Sequence, residues 1–230
     1  MSTRKEYTKS DVAKALRDAE RLAQEGKYEQ ALERHLWYHE NALKYDEAQY
    51  GVRLSFALSS WVALGRDYPK ALEALRSTRD QTFANYLKSP SDALLFGEVL
   101  SLDFALDDLP SAKKHFYEGR QHKVTDSLVM LQRDRIVATG DSKWAKDVIG
   151  NPREKLEEIK KQRDMAESSM ADFKDSKELK QSLDSVYSVQ IASLLKAVDK
   201  VQGRAAAEEL QEAALKVLDS IEVRTALVSD

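Results

Sequence analysis

The chain has 230 residues, a net charge of −3 and no cysteine, which excludes disulfide bonds, thiolate zinc sites and cysteine nucleophiles. Positive and negative residues number 23 each in residues 1–150 and 13 against 16 in residues 151–230, so neither part is basic and binding to nucleic acid is disfavoured. Eight glycines and four prolines, among abundant Ala, Leu, Glu and Lys, predict an all-α fold.

The first predicted elements are two helices joined by a tight turn. The first helix covers roughly residues 11–25 and stops at Gly26, because glycine reaches the left-handed conformation that ends a helix. The second helix runs to about residue 44. One stripe of residues at helical spacing follows this helix: Tyr28, Ala31, Leu32, His35, Leu36, Tyr38 and Leu43. The predicted unit is therefore a helical hairpin.

This hairpin pattern returns three times along the chain. Each copy has an alanine where two antiparallel helices approach closely: Ala31, Ala71, Ala112 and Ala145. These alanines are 40, 41 and 33 residues apart, a period typical of helical-hairpin arrays. The residues that carry the pattern are Leu22, Gly26, Tyr28 and Ala31, then Leu54, Trp61, Gly65 and Ala71, then Phe96, Ala112 and Phe116, and finally Ile136, Gly140 and Ala145. The pattern resembles the tetratricopeptide repeat family, in a divergent and lengthened form.

Prolines and capping residues set the boundaries of the helices that follow. A third helix is predicted over residues 50–64, apolar around most of its girth and therefore buried on both sides. Pro69 begins the fourth helix and Pro110 a later one, since the first turn of a helix tolerates proline. Asp92 is predicted to cap the helix over residues 93–106.

The strongest break in the sequence is Gly-Asn-Pro at residues 150–152. Before this break, Thr125 and Asp126 are predicted to cap a helix that runs through residue 138, and a short segment follows it to residue 149. We therefore divide the chain into a repeat region, residues 1–150, and a C-terminal helical region, residues 151–230.

The C-terminal region is predicted to form helices that pack on or cap the array. One of them, over about residues 177–201, carries an apolar stripe: Leu183, Val186, Ile191, Leu194 and Val198. A stripe of this kind is costly to leave in water, so we expect it to be covered within a monomer. A dimer through these helices is the alternative.

The resemblance also implies a binding surface. In tetratricopeptide repeats, ligands lie in the groove lined by the first helix of each hairpin. The family's groove positions correspond to Leu16, Glu20, Ser55, Ser59, Ser101, Phe104, Met130 and Asp134. Such a groove is mostly small and apolar, and suits an amphipathic helix from a partner or from the chain's own C-terminal region.

Two groups of ionisable residues are candidates for chemistry. His35 and His39 lie one helical turn apart and can reach one metal ion, but no further ligand completes the three or four that a bound metal usually needs. We interpret His35 as packed in the hairpin and His39 as facing water. Asp103, Asp107 and Asp108 form an acidic cluster near a helix end, which we interpret as a solvated terminus. No metal and no cofactor are expected.

The sequence favours a non-catalytic protein that binds another protein or peptide, as an adaptor, a chaperone-like factor or an inhibitor. The charged start, MSTRKEYTKS, does not resemble a secretory signal, and no segment approaches about 18 uncharged apolar residues. We therefore expect a cytoplasmic protein without a membrane span. The alternative is a metal-dependent or acid–base enzyme that uses His35 and His39.

Overall fold

Every regular element in the described part of the chain is a helix, which confirms the all-α prediction. The structure is a computed structural model that describes residues 7–90, 92–120, 129–169 and 177–228, with only the backbone described at 129–131. These ranges hold thirteen α-helices and one short 3-10 helix. The chain divides into two compact units, residues 1–128 and residues 129–230.

Unit 1 is built from helices that pack in consecutive pairs. Its elements are α1 (Lys9–Gln24), α2 (Tyr28–Tyr45), a 3-10 helix (Glu47–Gln49), α3 (Tyr50–Arg53), α4 (Phe56–Asp67), α5 (Pro69–Lys88), α6 (Ala93–Ala105) and α7 (Leu109–Arg120). Helix α1 packs on α2, α4 on α5 and α6 on α7, while α2 contacts α4 and α5 contacts α6. Pro69 begins α5 and the Asp92 side chain caps α6, both as predicted.

The alanines of the repeat pattern are buried. Ala31, Ala71 and Ala112 of unit 1 have no exposed surface, and Ala145, which lies in unit 2, is 2% exposed. The predicted burial is therefore confirmed. Ala71 lies in an apolar core cluster of unit 1, in which the Trp61 indole donates a hydrogen bond of 2.9 Å to the Ala71 carbonyl.

The predicted third helix is broken, and the prediction of one helix over residues 50–64 is wrong. Helix α3 ends at Arg53 and α4 begins at Phe56, because the backbone at Ser55 leaves the helical region (φ −129°, ψ −88°). The Ser55 hydroxyl donates to the Gly51 carbonyl at 2.6 Å. Phe56, the first residue after the break, is 75% exposed. The prediction that this segment is buried on both sides is therefore also wrong at Phe56.

Unit 2 is organised around its longest helix. Its elements are α8 (Val129–Ala138), α9 (Ser142–Ile149), α10 (Pro152–Ser169), α11 (Lys177–Gln202), α12 (Arg204–Val217) and α13 (Ile221–Thr225). Helix α11 contacts the other five. Because α8 and α9 pack on α11, the boundary predicted at residue 150 lies inside this unit. The predicted caps Thr125 and Asp126 lie outside the described residues.

The apolar stripe of α11 is covered only in part. Ile191, Leu194 and Val198 are buried within unit 2, and Leu183 is half-buried. Val186 is 55% exposed, so this residue lies outside the core that the stripe was predicted to join.

None of the described helices combines the length and apolarity that crossing a bilayer requires.

Candidate functional site

The predicted groove residues of unit 1 fall into two groups. Glu20, Ser55 and Ser59 are exposed on α1 and at the start of α4, two helices that contact each other. Leu16 is half-buried and packs against the small core cluster around Tyr38. Three of the four groove positions predicted in the first two hairpins are therefore exposed.

The remaining groove positions differ in accessibility. Ser101 is buried, and its hydroxyl donates to the Gly97 carbonyl at 2.8 Å inside α6. Phe104 is half-buried on the same helix. Asp134 is exposed but belongs to unit 2, and the Met130 side chain lies outside the described residues. Ser101 is thus not available to a ligand in this conformation.

The polar centre of unit 1 is a cluster of three buried side chains, which we call the Arg53 cluster: His39 of α2, Arg53 of α3 and Glu98 of α6. Their side chains are 8%, 9% and 9% exposed. The guanidinium of Arg53 donates Nη1 to Glu98 Oε2 at 2.7 Å and Nη2 to Glu98 Oε1 at 2.8 Å, a bidentate pair. Its Nε donates to the His39 carbonyl at 2.7 Å. The prediction that His39 faces water is therefore wrong.

The imidazole of His39 completes this cluster through Nε2. This atom lies 3.1 Å from Glu98 Oε1 and 3.0 Å from Arg53 Nη2. A neutral ring either donates to the carboxylate or accepts from the guanidinium, so its tautomer decides which bond forms. Burial lowers the pKa of His39, which keeps the ring neutral at pH 7.

The charge of the Arg53 cluster is balanced internally. Burial by itself would raise the pKa of Glu98, but the hydrogen bonds from His39 and Arg53 and the charge of Arg53 outweigh burial and lower this pKa to about 2. Glu98 is therefore a carboxylate facing a guanidinium. Because both carboxylate oxygens and all three guanidinium nitrogens have partners, the cluster can join helices but has little capacity left to bind a charged ligand.

A second ionic group, which we call the Asp103 cluster, joins α5, α6 and α7. Asp103 is fully buried, with Oδ2 at 2.8 Å from His115 Nδ1 and Oδ1 at 3.4 Å from Arg79 Nη1. The same guanidinium nitrogen donates to Asp108 at 2.7 Å, and the Phe83 ring lies 4.1 Å from the His115 ring, between centroids. Burial raises the pKa of Asp103, although the hydrogen bond from His115 opposes this shift.

The acidic residues at this turn were predicted to be solvated, which is wrong for Asp103 and correct for Asp107. Asp107 is exposed and has a φ of 54°, and it occupies the position at which Gly26 turns the first hairpin with a φ of 71°. Asp108 is half-buried and its pKa is lowered, because hydrogen bonds from Ser111 and Arg79 outweigh the opposing effect of burial. The turn is therefore held by the hydrogen bonds that Asp108 accepts from Ser111 and Arg79.

The rings of His35 and His39 both pack against Trp61, in different orientations. The His35 ring stacks on the Trp61 indole at 5.7 Å with an interplanar angle of 13°, whereas the His39 ring meets the same indole edge-on at 5.8 Å. Burial lowers the pKa of His35 to about 4, and its Nε2 has no hydrogen-bond partner among the described residues. In the described ranges, no three His, Asp or Glu side chains converge as metal ligands would.

A pocket of about 470 Å³ lies over the Arg53 cluster. Leu36 and Glu40 of α2 form one side, and Ser77, Gln81 and Asn85 of α5 form the other. The three α5 residues are four apart, so they lie on one helical face. The pocket therefore has a polar wall above a floor of fixed, neutralised charges, and this wall can hydrogen-bond to a neutral ligand or a peptide.

The sequence interpretation missed Arg53 and Glu98 as members of a cluster. A signal for Glu98 exists: Glu98 and Asp103 are the charged residues in ALLFGEVLSLDFA, a helix in which Ser101 is the one other polar side chain. Charges in such a helix need buried partners.

Comparison of the chain with protein-family models, curated proteins and solved structures found no significant match.

Proposed function

We propose that this chain is a non-catalytic, cytoplasmic helical-repeat protein, similar to tetratricopeptide repeat proteins, that binds another protein or peptide. The observation that carries the proposal is the common register of the helical pairs in unit 1. Ala31, Ala71 and Ala112 are each fully buried, and each lies near the start of the second helix of a pair. One supersecondary unit repeated in sequence and packed against its neighbours is the basis of a repeat array.

The contacts between pairs support the same proposal. Helix α2 of the first pair contacts α4 of the second, and α5 of the second contacts α6 of the third. The first helices of successive pairs also contact one another, α1 with α4 and α4 with α6. First helices that lie side by side give a surface on which an extended or helical peptide can lie, here over α1 and α4, since Ser101 of α6 is buried.

The state of the ionisable groups favours binding over catalysis. A catalytic acid or base must reach a reacting atom, whereas His39 is held by Arg53 and Glu98, and Asp103 is held by His115 and Arg79. His35 lies beneath the surface with its ring on Trp61. These groups connect helices to one another, which is a structural role.

A photo-crosslinking experiment tests the proposal. A benzophenone amino acid replaces Ser59, exposed on α4 in the predicted groove, or Arg76, exposed on α5 and serving as the control. We expect crosslinking in source-cell extract to yield a discrete protein adduct from position 59 and not from position 76. The purified partner should then lose affinity for the Ser59→Arg variant and keep it for Arg76→Glu. Equal adducts from both positions, or unchanged affinity for Ser59→Arg, would contradict the proposal.

A further inference from the structure

Unit 2 has a groove that the function proposed above does not use. The groove has a volume of about 530 Å³, and its floor is one face of α11, from Val189 to Lys200. Helix α8 forms one wall with Asp134 and Val137, and the segment around α13 forms the other with Glu222 and Ala226. A floor of this length spans about three helical turns, or ~17 Å. The groove therefore has the length of a short docked helix.

The lining is aliphatic along the middle and charged along the edges. Val189 is 58% exposed at one end, and Ala192, Ser193 and Ala197 follow it on the same face of α11. Small side chains at these positions allow another helix to approach closely, and an exposed valine beside them gives that helix apolar area to cover. Shape alone, however, does not choose an occupant.

The charges around the groove favour an acidic occupant. Lys196 and Lys200 lie one turn apart on the floor, both exposed, and neither has an ion-pair partner among the described residues. The Asp134 carboxylate accepts from the Ser193 hydroxyl at 2.6 and 2.8 Å and lies 3.4 Å from Nε of Arg133. Its charge is therefore already engaged.

Arg133 adds positive charge behind the groove wall. Its side chain is 4% exposed, it donates Nη2 to the Ser193 hydroxyl, and its Nη1 has no hydrogen-bond partner among the described residues. The lining itself carries Lys196 and Lys200 against Asp134 and Glu222, and Arg133 behind the wall adds one positive charge. Because Arg133 offsets Asp134, the two exposed lysines face one remaining lining carboxylate, Glu222.

We propose that this groove binds an amphipathic helix of another protein, with an aliphatic stripe and two acidic residues one turn apart. The stripe covers Val189 and the small residues of the floor, and the two carboxylates pair with Lys196 and Lys200. The geometry is that of helix-in-groove recognition. The inference is independent of the binding surface proposed for unit 1, since every residue that carries it belongs to unit 2.

Two synthetic helical peptides and the full-length chain test the inference by fluorescence anisotropy. Both peptides have about 14 residues, to match three to four turns, and share one Leu/Ala stripe. One carries Glu and the other Lys at the two flanking positions. We expect the Glu peptide to bind about tenfold more tightly than the Lys peptide, since Lys196 and Lys200 form two ion pairs with the former and two like-charge contacts with the latter.

Charge reversal supplies the sharper comparison. The double variant Lys196→Glu/Lys200→Glu should prefer the Lys peptide, a gain of binding that misfolding cannot produce. Val189→Asp should weaken both peptides. The control Lys161→Glu/Lys216→Glu changes two exposed lysines of α10 and α12 and should keep the wild-type preference.

Three results would overturn the inference. The first is that neither peptide binds, and the second is that the control variant changes the preference as much as the groove variant does. The third is a concentration-dependent dimer, seen by light scattering, that Val189→Asp dissociates, because a second copy of the chain would then occupy the groove.

Discussion

Replacement of His35 by phenylalanine should remove a source of acid instability from unit 1. The His35 side chain is almost fully buried, and burial lowers its pKa from 6.5 to about 4. The ring is therefore neutral in the folded chain, while in the unfolded chain it binds a proton near its ordinary pKa. Because the unfolded state binds more protons, the stabilisation is fully present above about pH 6.5 and is lost as the pH falls towards 4.

The size of this effect follows from the two pKa values. With 6.5 in the unfolded chain and about 4 in the folded chain, the His35 contribution to the free energy of unfolding decreases by about 2 kcal/mol between about pH 7 and about pH 5. Phenylalanine keeps a flat ring on Trp61 and removes a polar atom that lacks a partner. Its larger ring crowds the site, so at pH 7 we expect a net change within about 1 kcal/mol.

Urea unfolding of the full chain, followed by tryptophan fluorescence from about pH 8 to about pH 5, measures both quantities. The wild type should lose about 2 kcal/mol more than His35→Phe over the acid half of this range. His39 also has a pKa lowered by burial, but this residue is present in both chains and cancels in the difference. A second variant, His35→Leu, should show the same reduced pH dependence without a ring. If the curves of wild type and variants run parallel, the depressed pKa of His35 is refuted.

Three further predictions concern packing and charge. Ala71→Leu should lower the free energy of unfolding by about 1 to 3 kcal/mol through overpacking beneath Trp61, whereas Ala84→Leu, on the exposed side of the same helix, should be neutral in the same urea assay. Glu98→Gln should lower the free energy of unfolding by about 3 to 5 kcal/mol, because it leaves the buried Arg53 guanidinium without its carboxylate. In the wild type, the stabilisation that Glu98 contributes should be lost as the pH falls from about 4.5 towards 2. Gly119→Ala should lower the melting temperature, since its new Cβ would lie 2.0 Å from the Phe96 ring; an unchanged melting temperature would contradict this packing.

The helices and their turns could be predicted because their signals are local. The turn at Gly26, the first residue Pro69 and the cap Asp92 each act within a few residues of the chain. The burial of Ala71 could also be predicted, since the repeat pattern assigns it to a helix crossing. Such features depend on backbone conformation and helical spacing, both of which can be read from the sequence.

The ionic clusters could not be predicted in the same way. Helical spacing gives the face on which His39 lies, but the neighbour that covers this face is Glu98, 59 residues later. The division of the chain into units depends on packing for a related reason. A Gly-Asn-Pro break shows where a helix ends, whereas the packing of α8 and α9 on α11 decides to which unit they belong.

The Arg53 cluster has a consequence for how unit 1 unfolds. His39 belongs to the first helical pair and Glu98 to the third, and Arg53, on α3, donates both to the His39 carbonyl and to Glu98. In an array whose repeats touch only their neighbours, terminal repeats can open while the remainder stays folded. Opening the third pair would leave the buried Arg53 guanidinium without Glu98, and opening the first pair would remove its hydrogen bond to the His39 carbonyl. We therefore expect α2 and α6 to exchange their amide hydrogens together, through an opening that disrupts the Arg53 cluster.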